Sequence, residues 1–142
     1  MTAKEYLRQY LDADRAINAK LEQISKLRAL AIKTTQTLQP DKVQSSNENK
    51  TEKIIAKIVD LENEVDAEID RLGEIKKQVE NVIATVPNKA QRTVLERRYI
   101  NGERWEEIAV KMHYTYRHVI RLHGRALRTL QYVVKNVLEC PT

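Results

Sequence analysis

Between Tyr114 and Asn136 the chain carries Arg117, Arg121, Arg125 and Arg128 and no acidic residue. A guanidinium group is a permanent cation with a planar fork of donors. It suits phosphate, and it can pair in two-pronged fashion with guanine. The spacing places all four on one side of a helix. With Arg117 at zero on a wheel of about 100° per residue, Arg128, Arg121 and Arg125 fall at about 20°, 40° and 80°. Val119, Leu122, Ala126, Leu130 and Val133 fall between about 140° and 220°. Such a helix docks by its aliphatic side and turns its arginines outward, where they repel one another unless an anion lies against them. The segregation suits a polyanion. A solvated cationic face and an acidic membrane surface are the competing readings, and the second ranks lower because the apolar face already has an intramolecular use.

Other chemistries find less support. His113, His118 and His123 recur every five residues, whereas paired metal ligands on a helix need a spacing of four with carboxylate or thiolate support. His118 and His123 diverge by about 140° on the wheel, so they read as structural or phosphate-facing groups. Glu106 and Glu107 look like ordinary first-turn acids. Cys140 has no histidine or helix start arranged around it and no second cysteine to pair with,. There is no glycine-rich phosphate loop and no nucleophile–base pair. The expectation is a protein that is not an enzyme, with no metal and no cofactor.

Composition agrees with a helical binding protein. Of 142 residues, 32% are charged and 5% aromatic, with no Phe, which favours helices over sheets. No run of about 18 apolar residues could span a membrane. The opening MTAKEYLRQY is charged where a signal peptide needs an apolar core, so a reducing, cytoplasmic setting is expected,. The net charge of +5 is unevenly placed. Pro87–Thr142 holds 11 Lys and Arg against 5 Asp and Glu, and the preceding residues 14 against 15. The basic excess therefore belongs to the last third, as a nucleic-acid partner would require.

The elements that must position the arginines can be read from periodicity. Ala3 to Lys33 reads as one helix, with Leu7, Tyr10, Ile17, Leu21, Ile24 and Leu27 as its stripe,. Thr34 to Lys50 is polar, contains Pro40, and reads as a mobile loop. A second helix from Thr51 to Thr85, with Thr51 or Asn49 as cap, carries Ile55, Ile58, Leu61, Val65, Ile69, Leu72, Ile75, Val79 and Val82,. The two helices are expected to form a long antiparallel, coiled-coil-like hairpin over residues 1–85, with self-association into a homodimer covering its second flank. Pro87 marks a boundary, and residues 86–142 form the second domain. Asn88 to Ile100 reads as a short helix burying Val94, Leu95 and Tyr99, closed by Asn101-Gly102. Trp105, Ile108, Ala109 and Met112 share a face of a helix of about two turns. His113-Tyr114-Thr115 breaks it, and Thr115 can cap the arginine-bearing helix. A short helix, a brief join and a longer helix make the helix-turn-helix pattern. The recognition helix is expected to pack through Val119, Leu122 and Ala126 on Leu95, Trp105 and Ile108. The expected architecture is all-α.

The stretch NKAQRTVLERRYINGERWEEIAVKMHYTYRHVIRLHGRALRTL resembles region four of sigma-seventy-type sigma factors. The shared features are Leu95, Arg98 and Tyr99, then Gly102, then Trp105-Glu106-Glu107-Ile108-Ala109, and a Thr-initiated basic helix ending in Arg125-Ala126-Leu127-Arg128-x-Leu130. The whole chain more closely resembles small proteins from phages of Gram-positive bacteria, related to the ArpU and RinA late transcriptional regulators. IIAKIVDLENEVDAEIDRL, the WEEIA run and the RLHGRAL run anchor that resemblance. It implies a cytoplasmic phage protein in a bacterial host that binds specific double-stranded DNA and acts on late genes, with contact to RNA polymerase left open. Carried over by position, Tyr116, Arg117, Ile120 and Arg121 face bases. Arg125 and Arg128 grip phosphate, with Thr115 and His118, and with Lys89, Arg92, Arg97, Arg98 and Arg104 as flanking contacts. Arg117 stands where sigma factors carry an acidic residue, which implies a target other than the usual promoter element. The chain also lacks room for the sigma region that melts DNA, which implies an activator bound upstream of a promoter. A small terminase-like packaging adaptor and a polymerase-binding module are the alternative functions.

Overall fold

The computed structural model describes residues 1–36 and 44–139, side chains at 36, 44–47 and 138 excepted. The described residues form helices α1 (Ala3–Gln36), α2 (Gln44–Ala84), α3 (Lys89–Tyr99), α4 (Trp105–Met112) and α5 (Tyr116–Glu139), and no strand. The all-α expectation holds. No helix among them is long and apolar enough to cross a membrane. Contacts group the chain into two compact units, residues 14–71 and residues 1–13 with 72–142.

Residues 14–71 take their stretches of α1 and α2 together. Ile17, Ile24, Ile58 and Val65 are buried. Lys20 pairs with Glu64 and Glu68, and Arg28 with Glu62. As the α1 index rises from 20 to 28, its α2 partner falls from 68 to 62, the order of two antiparallel segments. Three residues of the expected stripes stay outside: Leu21, Ile55 and Ile69 are exposed. The stripe read from the sequence is wider than the face that one partner helix covers.

The expected loop over Thr34–Lys50 needs correction. α1 continues to Gln36, with the hydroxyls of Thr34 and Thr35 donating to the carbonyls of Leu30 and Ala31 at 2.9 and 2.8 Å. That back-bonding satisfies the polar groups without leaving the helix. α2 begins at Gln44, so Asn49 and Thr51 lie inside it rather than at its cap. Residues 48–50 are exposed, and a helix turn that buries nothing shows no apolar period. Pro40 and the rest of 37–43 lie outside the described residues.

The second unit is held by two cores, the larger of which draws on four helices. Ala3, Tyr6 and Leu7 of α1 meet Val79, Val82 and Ile83 of α2, Val86 of the following turn, Leu95 and Tyr99 of α3, and Ala126, Leu130 and Val134 of α5. This core includes residues on both sides of the boundary expected at 85–86. The spacing of four along α5 puts Ala126, Leu130 and Val134 on one line, and it makes Val134 the buried valine, with Val133 half-buried. The start of α1 is pinned twice. Thr2 and Glu5 form a reciprocal capping box at 3.2 and 2.8 Å,. The backbone N–H of Ala3 donates to Oε1 of Gln131 at 3.0 Å.

A second cluster joins Val94 of α3, Ile108 and Ala109 of α4, and Val119 and Leu122 of α5. α5 therefore serves two cores in succession, its first turns packing on α3 and α4 and its later turns on α1, α2 and α3. Leu130 is fully buried in the larger core. Leu130→Ala should lower stability by about 2–5 kcal/mol. Urea unfolding measures it, and a loss below about 1 kcal/mol would contradict the packing described.

Candidate nucleic-acid interface

The approach to α5 is built by local rules. Pro87 precedes Asn88, whose side-chain oxygen accepts from the N–H of Gln91 at 3.0 Å and caps α3,. Arg92 turns back, donating to the carbonyls of Val86 and Pro87 at 2.9 and 3.3 Å. α3 ends where the N–H groups of Ile100 and Asn101 both reach the carbonyl of Glu96. Gly102 then takes φ 69°, a left-handed conformation costly for any side chain,.

Glu103 fastens this turn. Its N–H donates to the carbonyl of Arg97 at 3.0 Å. Its carboxylate accepts from Arg97 at 3.3 Å and from Lys111 of α4 at 2.8 Å. Burial alone would raise the Glu103 pKa, but Lys111 and Arg97 outweigh it and hold the group below the usual carboxylate value. At Arg104 the N–H and Nε both reach the Glu107 carboxylate at 3.3 Å, closing the first turn of α4.

α4 ends at His113, which sits in left-handed geometry at φ 58°. The N–H of His113 donates to Val110 at 3.3 Å and that of Tyr114 to Ala109 at 3.0 Å, the paired bonds of a Schellman turn. Thr115 then caps α5, its hydroxyl accepting from the N–H of His118 at 3.2 Å. So α4 and α5 are separated by three residues, each with a backbone role.

The four arginines of α5 are exposed. Among the described residues none of Arg117, Arg121, Arg125 and Arg128 has a carboxylate partner. Tyr116 and Ile120 are exposed beside Arg117 and Arg121, while Val119, Leu122 and Ala126 are buried beneath them. His118 is half-buried and meets the Tyr114 ring edge-on at 4.7 Å. Lys89 and Arg104 are exposed.

The other basic residues of α3 are occupied within the protein. Arg97 is held by Glu103, and Arg92 by the α2–α3 turn. Arg98 lies over the Trp105 ring at 4.5 Å and donates to the Glu103 carbonyl at 3.0 Å. Leu95 packs with Ala126 in the larger core, while Ile108 and half-buried Trp105 pack in the smaller one with Val119 and Leu122. The expected packing set is thus divided between two clusters rather than gathered in one.

One buried polar group had no clear signal in the sequence. His123 of α5 is buried, 2.7 Å from the Tyr99 hydroxyl, with its ring against Trp105 at 4.5 Å. It links α5 to both preceding helices. Burial, reinforced by the charges of Lys4 and Arg98, pushes its pKa down to about 4. The neutral ring can then accept from the Tyr99 hydroxyl. A polar residue at about 240° on the wheel, next to the aliphatic arc, was the available hint. Among the described residues no group of three His, Cys, Asp or Glu is placed to hold a metal ion. Cys140 lies outside the described residues.

The fold is all-helical, and α5 presents to solvent four arginines that have no carboxylate partner among the described residues. The family model described as protein of unknown function DUF722 matches residues 5–131, and the chain belongs to that family. No curated protein and no solved structure matches the chain.

His123 makes stability depend on pH. Unfolded, it binds a proton near pH 6.5; folded, it does so only near 4. Stability should be level above that range and decline as pH falls from 6.5 towards 4, by at most about 1.4 kcal/mol per pH unit. Loss of the Glu103 contribution belongs below pH 4.5, its ordinary value. His123→Gln should flatten the upper window in urea-unfolding midpoints. An unchanged slope would assign the proton elsewhere.

Proposed function

We propose that this chain binds specific double-stranded DNA and regulates transcription, with α3–α5 as a helix-turn-helix of the sigma-region-four kind. The observation that carries the reading is the segregation on α5. Four exposed arginines without carboxylate partners among the described residues lie opposite buried Val119, Leu122, Ala126 and Leu130. A free protein gains nothing from that crowding, whereas phosphates neutralise it and release counterions. The three-residue join between α4 and α5, and the capping by Thr115, give the exposed start of α5 the form that enters a major groove.

Within that reading Tyr116, Arg117, Ile120 and Arg121 face bases. Arg125 and Arg128 hold phosphate, with Thr115, His118, Lys89 and Arg104 at the flanks. Arg98 acts as a positioning residue through Trp105. The resemblance to phage ArpU/RinA-like late regulators supports an activator that works alongside RNA polymerase in the bacterial cytoplasm. Residues 1–85 serve as a helical hairpin that self-associates. Exposed Ile55, Val59 and Ile69 lie along one side of α2, within an arc of about 80°,. A second copy covering them gives a homodimer, and with it two recognition helices for a two-part site.

Selection from random duplexes on the purified protein should yield a defined sequence. On that sequence Arg121→Ala should lose about 1–3 kcal/mol and relax preference at one base pair. Arg128→Ala should weaken all duplexes alike and flatten the salt dependence. Equal behaviour of the two variants on every duplex would overturn the division of roles. Sedimentation should give the mass of two chains, reduced to one by Ile69→Glu. A larger ring would favour a DNA-packaging adaptor instead.

A further inference from the structure

Gly124 sits in the middle of α5, and a mid-helix glycine destabilises a helix relative to alanine,. The common structural reason is a neighbouring element too close for a β-carbon. That reason is absent, since a β-carbon placed at Gly124 meets no atom within 4 Å. Nor is its backbone left-handed, as that of Gly102 is. On the wheel Gly124 falls at about 340°, at the edge of the arc that holds Arg117, Arg128 and Arg121. Arg121 stands one turn before it and Arg128 one turn after, both exposed.

We propose that Gly124 is the point at which the sugar–phosphate backbone of the duplex crosses α5. The inference rests on the DNA-binding reading above and refines it. Without a side chain, the Cα can approach a phosphate oxygen to roughly 3.3–3.6 Å through a C–H···O contact. A β-carbon would hold that oxygen off. Arg121 and Arg128 flank the gap and supply the countercharge. The face from Arg117 to Arg128 runs about 17 Å along the helix, far more than one phosphate group occupies, so a continuous polyanion fits it better than a free anion. Gly124 then divides α5 into a groove-entering part, Tyr116–Arg121, and a backbone-gripping part, Arg125–Arg128.

The test sets stability against binding in the full chain. Gly124→Ala and Gly124→Leu are compared with wild type by thermal melting and by titration of a labelled mixed-sequence duplex at low salt. Gly73→Ala in α2 is the control, because a β-carbon there also meets nothing within 4 Å. Both alanine variants should melt a few degrees higher than wild type. Only Gly124→Ala should lose duplex affinity, by about tenfold or 1.4 kcal/mol, and Gly124→Leu should lose more. If Gly124→Ala binds like wild type while Arg128→Ala weakens binding, the glycine is incidental and the inference fails with DNA binding intact. If Gly124→Ala melts lower, the glycine serves packing and the inference fails. Wild-type protein that is folded yet ignores the duplex overturns the DNA-binding reading itself, and this inference with it.

Discussion

The inner face of α5 is the constraint on which the rest depends. Val119 and Leu122 tie its first turns to α3 and α4, and Ala126, Leu130 and Val134 tie its later turns to the start of α1 and the end of α2. A helix packed along one face cannot roll, so the opposite face is fixed as well. The outward direction of Arg117, Arg121, Arg125 and Arg128 follows from aliphatic burial they take no part in. Hydrophobic area provides the energy, and the arginines bear its orientation.

Polar groups refine what the cores hold. Glu103 links the end of α3 to α4 through Arg97 and Lys111, at a turn whose backbone requires Gly102. His123 and Tyr99 share a buried hydrogen bond where α3 and α5 meet, and Trp105 closes over it from α4. Arg98 stacks on the outside of Trp105. Several charges that could have joined an anion-binding surface are thus used to set the angles between three helices. Among the charges that remain exposed, four arginines share one face of α5.

Much of this was legible in the sequence, for a physical reason. The seam of α2 and the two faces of α5 recur with the helical period, and burial on one side is what produces such a period. The turns were legible through Pro87, Gly102 and Thr115, whose backbone preferences are local. Where α2 begins was not, because Glu48 to Lys50, a turn inside it, are exposed, bury nothing and leave no period. The wide stripes also concealed that Leu21, Ile55 and Ile69 stay exposed. Long-range assignments were harder still. Nothing near Ala3, Tyr6 and Leu7 indicates that they pack on Leu130, and the charge of Arg92, Arg97 and Arg98 does not disclose that each already has an acceptor. For His123 the position on the wheel was informative, but its partner, 24 residues earlier, was not.

The contact between Ala3 and Gln131 joins residues 128 positions apart in the chain. During synthesis the first turn of α1 leaves the ribosome long before α5 exists to receive it. The local α3–α4 turn can form early, yet the core around Leu7 and Leu130 cannot close until the last helix clears the exit tunnel. The arginine face therefore acquires its fixed direction only once α5 has emerged and docked, and until then the nascent chain carries that helix unoriented.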